Sequence, residues 1–183
     1  MYAEVGLGFN KTLYFGDTRA QLAQALGGSA APGTGNSILA GFYVAPVKWG
    51  GLGVGTRIAG SFGAPRTGDF GDQYIFNYYN LALAAKYYGL SREFGRGLYL
   101  RGSVGFGQFT TKRFNDETHF VRHEYGIGTS LMGGVGYTLP RKGYSLSLET
   151  EFEYAARQGQ LDGQAAEPTF RTGQLGLNLL VGF

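Results

Sequence analysis

Three glutamates alternate with other residues in one short stretch of the chain. Glu149, Glu151 and Glu153 are spaced two residues apart, and this spacing places all three side chains on one face of an extended strand. Like charges on one face repel each other, and each loses its hydration if that face is buried. The pattern therefore predicts a buried ionic network, in which cations from other parts of the chain approach the three carboxylates.

The two histidines are the other residues whose types suggest chemistry. His119 and His123 lie in a stretch rich in charged residues, between Asp116 and Glu124, and they share one face if that stretch is extended. They are weak candidates for metal ligands, because spacing alone is poor evidence for a metal site. A solvated loop of mixed charge is the better interpretation. We predict no catalytic residues, no metal and no cofactor.

The elements that must position the glutamates are strands with alternating side chains. The clearest is the last, in which Leu175, Leu177, Leu179, Val181 and Phe183 form an apolar stripe while smaller or polar residues occupy the other positions. Seven more segments show the same alternation, which is typical of a barrel wall with lipid outside. The eight predicted segments cover approximately residues 2–10, 37–46, 52–62, 79–87, 98–106, 124–137, 144–154 and 175–183.

We therefore predict an all-β fold, an eight-stranded antiparallel up-and-down transmembrane β-barrel that forms a single domain over residues 1–183. A soluble barrel such as a lipocalin is the alternative, and it should be apolar inside and charged outside. Here the charged face also carries many glycines, which suit a crowded interior. The membrane interpretation follows from this assignment of faces.

In such a barrel the glutamates and their cations share the lumen. Because the third and seventh strands face each other across eight strands, we expect Arg57 to lie level with Glu149, and Arg101 to lie not far above Glu4. Two interpretations remain: the network plugs the lumen, or it is an ion or proton gate whose pairs exchange partners. The predicted network consists of Glu4, Arg57, Lys86, Arg101, Glu149, Glu151 and Glu153.

Short and long connections alternate along the chain. Short turns at 47–51, 89–96 and 140–143 separate predicted long loops at about 11–36, 64–73, 111–122 and 158–169. This asymmetry is typical of outer-membrane barrels with both termini in the periplasm and the long loops outside the cell. Residues 17–27 have an acidic start, good helix formers and a glycine stop, which predicts a short helix in the first loop. Four basic residues near the loops are candidates for contact with lipopolysaccharide phosphates: Lys112, Arg113, Arg122 and Arg171.

Composition excludes several other classes of protein. The chain has 33 glycines, 14 phenylalanines and 13 tyrosines but no cysteine, so it has neither disulfides nor thiolate chemistry. It contains no run of about 18 apolar residues, as a membrane-spanning helix requires. The net charge of +3 is spread along the chain, which disfavours nucleic acid as a partner. We find no signal peptide and interpret the chain as a mature form.

The terminal strand, the long loops and the inward pair Glu149 and Arg57 resemble those of small eight-stranded outer-membrane barrels, such as the OmpA transmembrane domain and OmpX-like proteins. The resemblance implies outer-membrane lipid and lipopolysaccharide as partners. It also implies an assembly signal at Phe183 that the barrel-assembly machinery reads. It implies a structural or surface-interaction role in the bacterial outer membrane. We expect a monomer, because nothing on the predicted outward face demands a subunit interface.

Two other functions remain as alternatives. One is a narrow pore or conduit for small hydrophobic molecules, of the OmpW-like kind. Inward glycines could leave room for such a passage; they include Gly126, Gly128, Gly134 and Gly136. The other is a lipid A-modifying enzyme. Neither His119 nor His123 is followed two residues later by serine, so the His-x-Ser arrangement of a lipid A deacylase is absent. We therefore predict that the chain is not an enzyme.

Overall fold

The computed structural model describes residues 1–20, 33–67, 73–115, 120–159 and 169–183. Its description of side chains leaves out residues 113, 115 and 120–125. Eight long strands and one short strand form a single sheet. Their bounds are β1 Tyr2–Tyr14, β2 Gly33–Val44, β3 Leu52–Gly63, β4 Arg66–Thr67, β5 Gln73–Tyr87, β6 Gly97–Asn115, β7 Phe120–Arg141, β8 Tyr144–Gly159 and β9 Thr169–Gly182.

The sheet closes on itself into a barrel. Each long strand pairs antiparallel with its neighbours in the chain, β3 pairs with β5, and β1 pairs with β9. At the β1–β9 seam Val5 lies opposite Val181, and Ala3 and Phe183 exchange two backbone hydrogen bonds of 3.1 and 2.8 Å. Closure gives every long strand a paired neighbour on both sides. The predicted eight-stranded antiparallel barrel is confirmed.

The two faces of the wall have opposite chemistry. Outward apolar side chains are exposed, for example 65% of Leu7 and 65% of Leu131, whereas inward Glu149 is 1% exposed. An apolar exterior around a charged interior is the reverse of a soluble barrel. The assignment of faces from the sequence therefore agrees with the structure. In the described part of the chain, no helix has the length and apolar character needed to span a membrane.

The strands continue into segments that we expected to be loops. β1 extends to Tyr14, which pairs with Thr172 of β9, and β6 extends to Asn115, which pairs with Phe120 of β7. The predicted loop starts at residues 11 and 111 are therefore four and five residues too early along β1 and β6, and the start at residue 158 is two residues too early along β8. Strand pairing satisfies backbone polar groups beyond the apolar band as well as within it, so the alternation of apolar residues ends before the strands do. Of the predicted helix, residues 17–20 are helical, and residues 21–27 lie outside the described residues.

We call the end of the barrel that carries both termini the turn end, and the opposite end the loop end. The turn end has three short connections: residues 45–51 with a 3-10 helix at Val47–Trp49, residues 88–96, and the two-residue turn Lys142–Gly143. Gly143 has a φ of 87°, a left-handed conformation that disfavours residues with a Cβ. The turn end is therefore tightly connected, whereas the connections at the loop end include the segments left undescribed.

Candidate functional site: a filled barrel lumen

Glu149 lies at the centre of the lumen and accepts several hydrogen bonds. Arg101 donates to its two oxygens through Nε and Nη2, each at 3.0 Å, and the Tyr99 hydroxyl donates at 2.9 Å. Arg57 reaches Glu149 from the opposite wall, with Nη2 3.5 Å from Oε1. A planar guanidinium matches a carboxylate in two places at once, so Arg101 is the principal partner of Glu149 and Arg57 a more distant one.

Glu151 completes this central layer. It forms ion pairs with both Arg57 and Arg101, and Arg101 also donates to Ser103 at 2.9 Å. The layer thus contains two carboxylates and two guanidiniums. Equal numbers of opposite charges offset the high cost of removing each ion from water. The structure therefore brings Glu149, Glu151, Arg57 and Arg101 together in one neutral cluster.

A second layer lies toward the turn end. Lys86 donates to Glu4 at 2.6 Å, and its ammonium group lies 4.4 Å from the ring centroid of Tyr99 and 5.2 Å from that of Tyr43. We expected Arg101 near Glu4, but Lys86 is the partner of Glu4. Lys86 and Arg101 are direct neighbours in the β5–β6 pairing. The compact ammonium fits between aromatic faces, while the planar guanidinium bridges two carboxylates.

A third layer lies toward the loop end. Arg157 donates to Glu153 at 2.6 Å and to Thr172 at 3.2 Å. Asn80 donates to Glu153 at 3.3 Å and also hydrogen-bonds Ser130. Arg157 was not among the predicted residues, because the predicted seventh strand ends at residue 154. The parity of Glu149, Glu151 and Glu153 continues to Arg157 and was the signal that could have found it.

Aromatic residues line the turn end of the lumen. Phe94, from the connection between β5 and β6, lies 4.7 Å from Tyr2, 5.7 Å from Tyr43 and 5.0 Å from Tyr88, measured between ring centroids. The Tyr88 hydroxyl lies 3.0 Å from the Thr138 hydroxyl. Burial raises the pKa of Tyr88, so its phenol stays protonated and neutral at this mouth. A cavity of about 210 Å³ beside Phe94 opens at the turn end.

A second aromatic cluster lies across the loop end. Phe109 contacts Phe170 at 5.0 Å and Tyr78 at 6.5 Å between ring centroids, and the Tyr78 and Tyr14 hydroxyls are 3.5 Å apart. The space left between these rings is about 10 Å³. The buried members are Tyr74, Phe76, Tyr78, Phe109 and Phe170.

Side chains occupy the space that we expected inward glycines to leave free. A Cβ on Gly126 would lie 2.0 Å from the ring of Phe109, and one on Gly136 would lie 2.4 Å from the Tyr99 hydroxyl. At Gly128 the obstacle is backbone, 2.0 Å away, and at Gly134 it is Arg101, 3.2 Å away. Neighbouring atoms therefore lie where the missing side chains of these four glycines would stand, so the glycines by themselves are not evidence for a conduit.

The four predicted lipopolysaccharide-contact residues fall in two places. Arg113 and Arg122 are direct backbone partners on β6 and β7, and Lys112, which is exposed, lies beside them. Arg171 is exposed on β9, two strands from β7 and three from β6, where its backbone N–H donates to Thr18 at 2.7 Å. The side chains of Arg113 and Arg122 lie outside the described side chains.

The other predicted residues are the terminal phenylalanine and the two histidines. Phe183 is 64% exposed at the end of the β1–β9 seam. His119 lies outside the described residues, and only the backbone of His123 is described, in β7. Within the described parts of the chain, no group of three or more acidic, histidine or cysteine side chains is arranged to hold a metal.

Comparison with known proteins gives matches in structure alone. No protein-family model matches the chain, and no curated protein matches it in sequence. The barrel is similar to Ail, the attachment invasion locus protein of Yersinia pestis, solved with the heparin analogue sucrose octasulfate. That likeness has a TM-score of 0.62 at 12% identity and covers 100% of this chain and 98% of Ail.

Two further solved barrels are similar over nearly their whole length. Neisserial surface protein A has a TM-score of 0.53 at 12% identity and is matched by 99% of this chain over 94% of its own. A major outer membrane protein from Thermus thermophilus has a TM-score of 0.55 at 14% identity, with 98% of each chain covered. Identities this low carry information about fold only. The chain has the fold of the small eight-stranded outer-membrane β-barrels.

Proposed function

We propose that this protein is an integral outer-membrane barrel whose lumen is filled by side chains and does not conduct, with a structural or surface-interaction role. The observation that carries the proposal is that side chains occupy the lumen at successive levels. From the turn end to the loop end these are the tyrosines with Phe94, the three ion-pair layers and the aromatic cluster. Eight strands enclose a space that side chains can fill. The apolar exterior supports the proposal that the barrel lies in a membrane.

Conductance in planar bilayers tests the closed lumen. We expect no steady openings from the unmodified barrel. We also expect none from Glu149→Gln, because the aromatic cluster remains across the loop end when the ion pairs are weakened. Reproducible openings of the unmodified barrel would overturn the proposal. Openings that appear with Glu149→Gln alone would support the gate interpretation, in which exchange of ion-pair partners opens the lumen.

We further propose that the turn end faces the periplasm and the loop end faces the cell exterior. Short periplasmic turns and longer external loops are the usual arrangement of these barrels. Because the chain has no cysteine, a single introduced thiol reports orientation. On intact cells an impermeant maleimide should label Arg19→Cys at the loop end and spare Lys142→Cys at the turn end until the outer membrane is permeabilised. The reverse pattern would refute the orientation.

The loop-end cations suggest the chemistry of a surface partner. Exposed Lys112 and Arg171, together with Arg113 and Arg122, are suited to phosphate groups of lipopolysaccharide, and the similar barrel Ail was solved with a polysulfated ligand. Each cation near an anionic surface contributes about 1 kcal/mol, or roughly fivefold in affinity. Arg171→Ala and Lys112→Ala should each weaken lipopolysaccharide binding by about that factor at low salt. Lys142→Ala at the turn end is the control and should leave binding unchanged.

The exposed Phe183 at the seam supports a role as an assembly signal read by the barrel-assembly machinery. Phe183→Ala should lower the amount of heat-modifiable barrel in cells while leaving refolding in detergent intact, because the residue contributes little to the buried interior. Equal losses in cells and in detergent would instead indicate a purely structural role.

We also propose that the protein is a monomer and has no enzymatic activity. A change in lipid A mass caused by the protein would contradict the absence of enzymatic activity.

A further inference from the structure

A small polar cavity lies in the lumen between the central layer and the loop-end cluster. Its volume is about 20 Å³, and Glu151, Glu153 and Tyr78 are part of its wall. The predicted network includes Glu151 and Glu153 but none of the other residues of this wall. We call it the lumen chamber, and its lining also includes the polar side chains of Asn10, Ser37, Ser61, Asn80, Gln174 and Asn178.

Five polar atoms of the chamber wall have no hydrogen-bond partner among the described residues. Their side chains come from β1, β3, β5 and β9 and are all more than nine-tenths buried, with exposures between 1% and 8%. A buried donor or acceptor without a partner costs about 1–3 kcal/mol, so five around one cavity indicate a common ligand. The atoms are Asn10 Nδ2, Ser61 Oγ, Asn80 Oδ1, Gln174 Nε2 and Asn178 Nδ2.

Charge decides what kind of ligand fits. Glu151 is paired with Arg57 and Arg101, and Glu153 with Arg157, so the wall is neutral as a whole. An anion would meet two carboxylates. A cation would meet mainly amide N–H groups, which donate hydrogen bonds and do not coordinate metal ions. A neutral molecule that both donates and accepts satisfies three amide donors, one hydroxyl and one amide oxygen.

Size decides among neutral molecules. A water molecule needs about 10–15 Å³ and two to four polar partners, and the chamber offers about 20 Å³. We propose that the lumen chamber is an internal hydration site that binds water, as one molecule or two, between the Glu151 and Glu153 ion pairs. This water bridges Asn10, Gln174 and Asn178 of the β1–β9 seam to Asn80 on the opposite wall.

The position of the chamber predicts slow exchange of this water. The central layer lies on its turn-end side, and the aromatic cluster with its space of about 10 Å³ lies on its loop-end side. This part of the inference rests on the closed lumen proposed above. The two are separable, because conductance measures the lumen while the experiments below measure the occupant of the chamber.

Nuclear Overhauser effects between water and side-chain amides test the occupant in barrels held in nanodiscs. We expect cross-peaks to the amide protons of Asn10, Gln174 and Asn178, with the sign of a long-lived bound water. Absence of these cross-peaks in the unmodified barrel would overturn the proposal. A crystal soaked in rubidium bromide should show no anomalous peak in the chamber, and such a peak would identify an ion and also overturn it.

Substitution then assigns the cross-peaks to the chamber. Gln174→Met keeps the length of the side chain but removes its donor, and it should abolish or weaken the water cross-peaks of Asn10 and Asn178. Gln108→Met is the matched control, because Gln108 is half-buried on β6 and does not line the chamber. Cross-peaks that survive Gln174→Met unchanged, or that disappear equally with Gln108→Met, would refute the assignment.

Discussion

Removing one charge from the central layer should destabilise the barrel far more than removing one from its surface. Glu149→Gln keeps the shape of the side chain, but it leaves Arg57 and Arg101 with Glu151 as the remaining carboxylate of their layer. Breaking a buried ion pair by removing one partner costs about 3–5 kcal/mol. We expect a loss of that size in the free energy of unfolding.

The contacts of Glu149 account for this magnitude. Two hydrogen bonds of 3.0 Å join it to Arg101, and both side chains are at most 1% exposed. Unit charges about 4 Å apart attract each other by roughly 4 kcal/mol at an effective dielectric constant of about 20. The same attraction predicts strong coupling, because Arg101→Met removes the cation that Glu149 neutralises. In the double variant Arg57 and Glu151 still balance each other, so its loss should be well below the sum of the single losses.

Equilibrium unfolding in urea, with the barrel inserted in lipid vesicles, measures these free energies. Trp49 is the only tryptophan and reports by fluorescence, while the gel shift between unheated and boiled samples confirms folding. The surface control is Glu93→Gln, because Glu93 and Arg96 form an ion pair of 3.4 Å whose side chains are 66% and 65% exposed. Exposed pairs contribute about 0–1 kcal/mol. Similar losses for Glu149→Gln and Glu93→Gln, or additive single losses in the cycle, would refute the reasoning.

Three further substitutions are expected to separate packing, charge and turn effects in the same unfolding assay. Gly126→Ala should cost about 1–3 kcal/mol because an aromatic ring lies 2.0 Å from the new Cβ, whereas Gly133→Ala, with open space, should cost much less; equal costs would contradict the packing argument. Arg157→Met should cost about 3–5 kcal/mol, because it leaves the buried Glu153 without its cation; a loss no larger than the about 0–1 kcal/mol of an exposed pair would contradict the charge argument. Gly143→Ala should cost about 1–2 kcal/mol because of the left-handed turn, and a neutral effect would show that the turn relaxes.

The wall of the barrel could be predicted from sequence because its signal is local. A strand exposed to lipid on one face and to the lumen on the other alternates at every residue, so parity alone assigned Leu7 outward and Glu149 inward. The opposition of Arg57 and Glu149 also followed, since the third and seventh long strands of an eight-stranded barrel face each other. These conclusions needed only strand count and parity.

The partners inside the lumen could not be predicted to the same degree, because they depend on side-chain length and on strand tilt. Lys86 and Arg101 are neighbours across two strands, yet one approaches Glu4 and the other Glu149. Arg157 lay beyond the last alternating apolar residue of its strand and was missed. The rings of Phe109 and Tyr99 lie over glycines of neighbouring strands, and strand parity gives no information about that contact.

The chemistry of the lumen follows from what a narrow barrel must enclose. If only apolar side chains filled the lumen, the polar side chains of the inner wall would have no hydrogen-bond partners. If only charged side chains filled it, each charge would need either an oppositely charged partner or water to hydrate it. The chain combines both, with the neutral ion-pair layers Glu4 and Lys86, the Glu149 cluster, and Glu153 and Arg157 held between aromatic rings at each end. Because each layer is neutral by itself, a break in one layer leaves the others neutral. Loss of a single pair should therefore lower stability without opening the lumen, since the aromatic rings at each end also pack against one another.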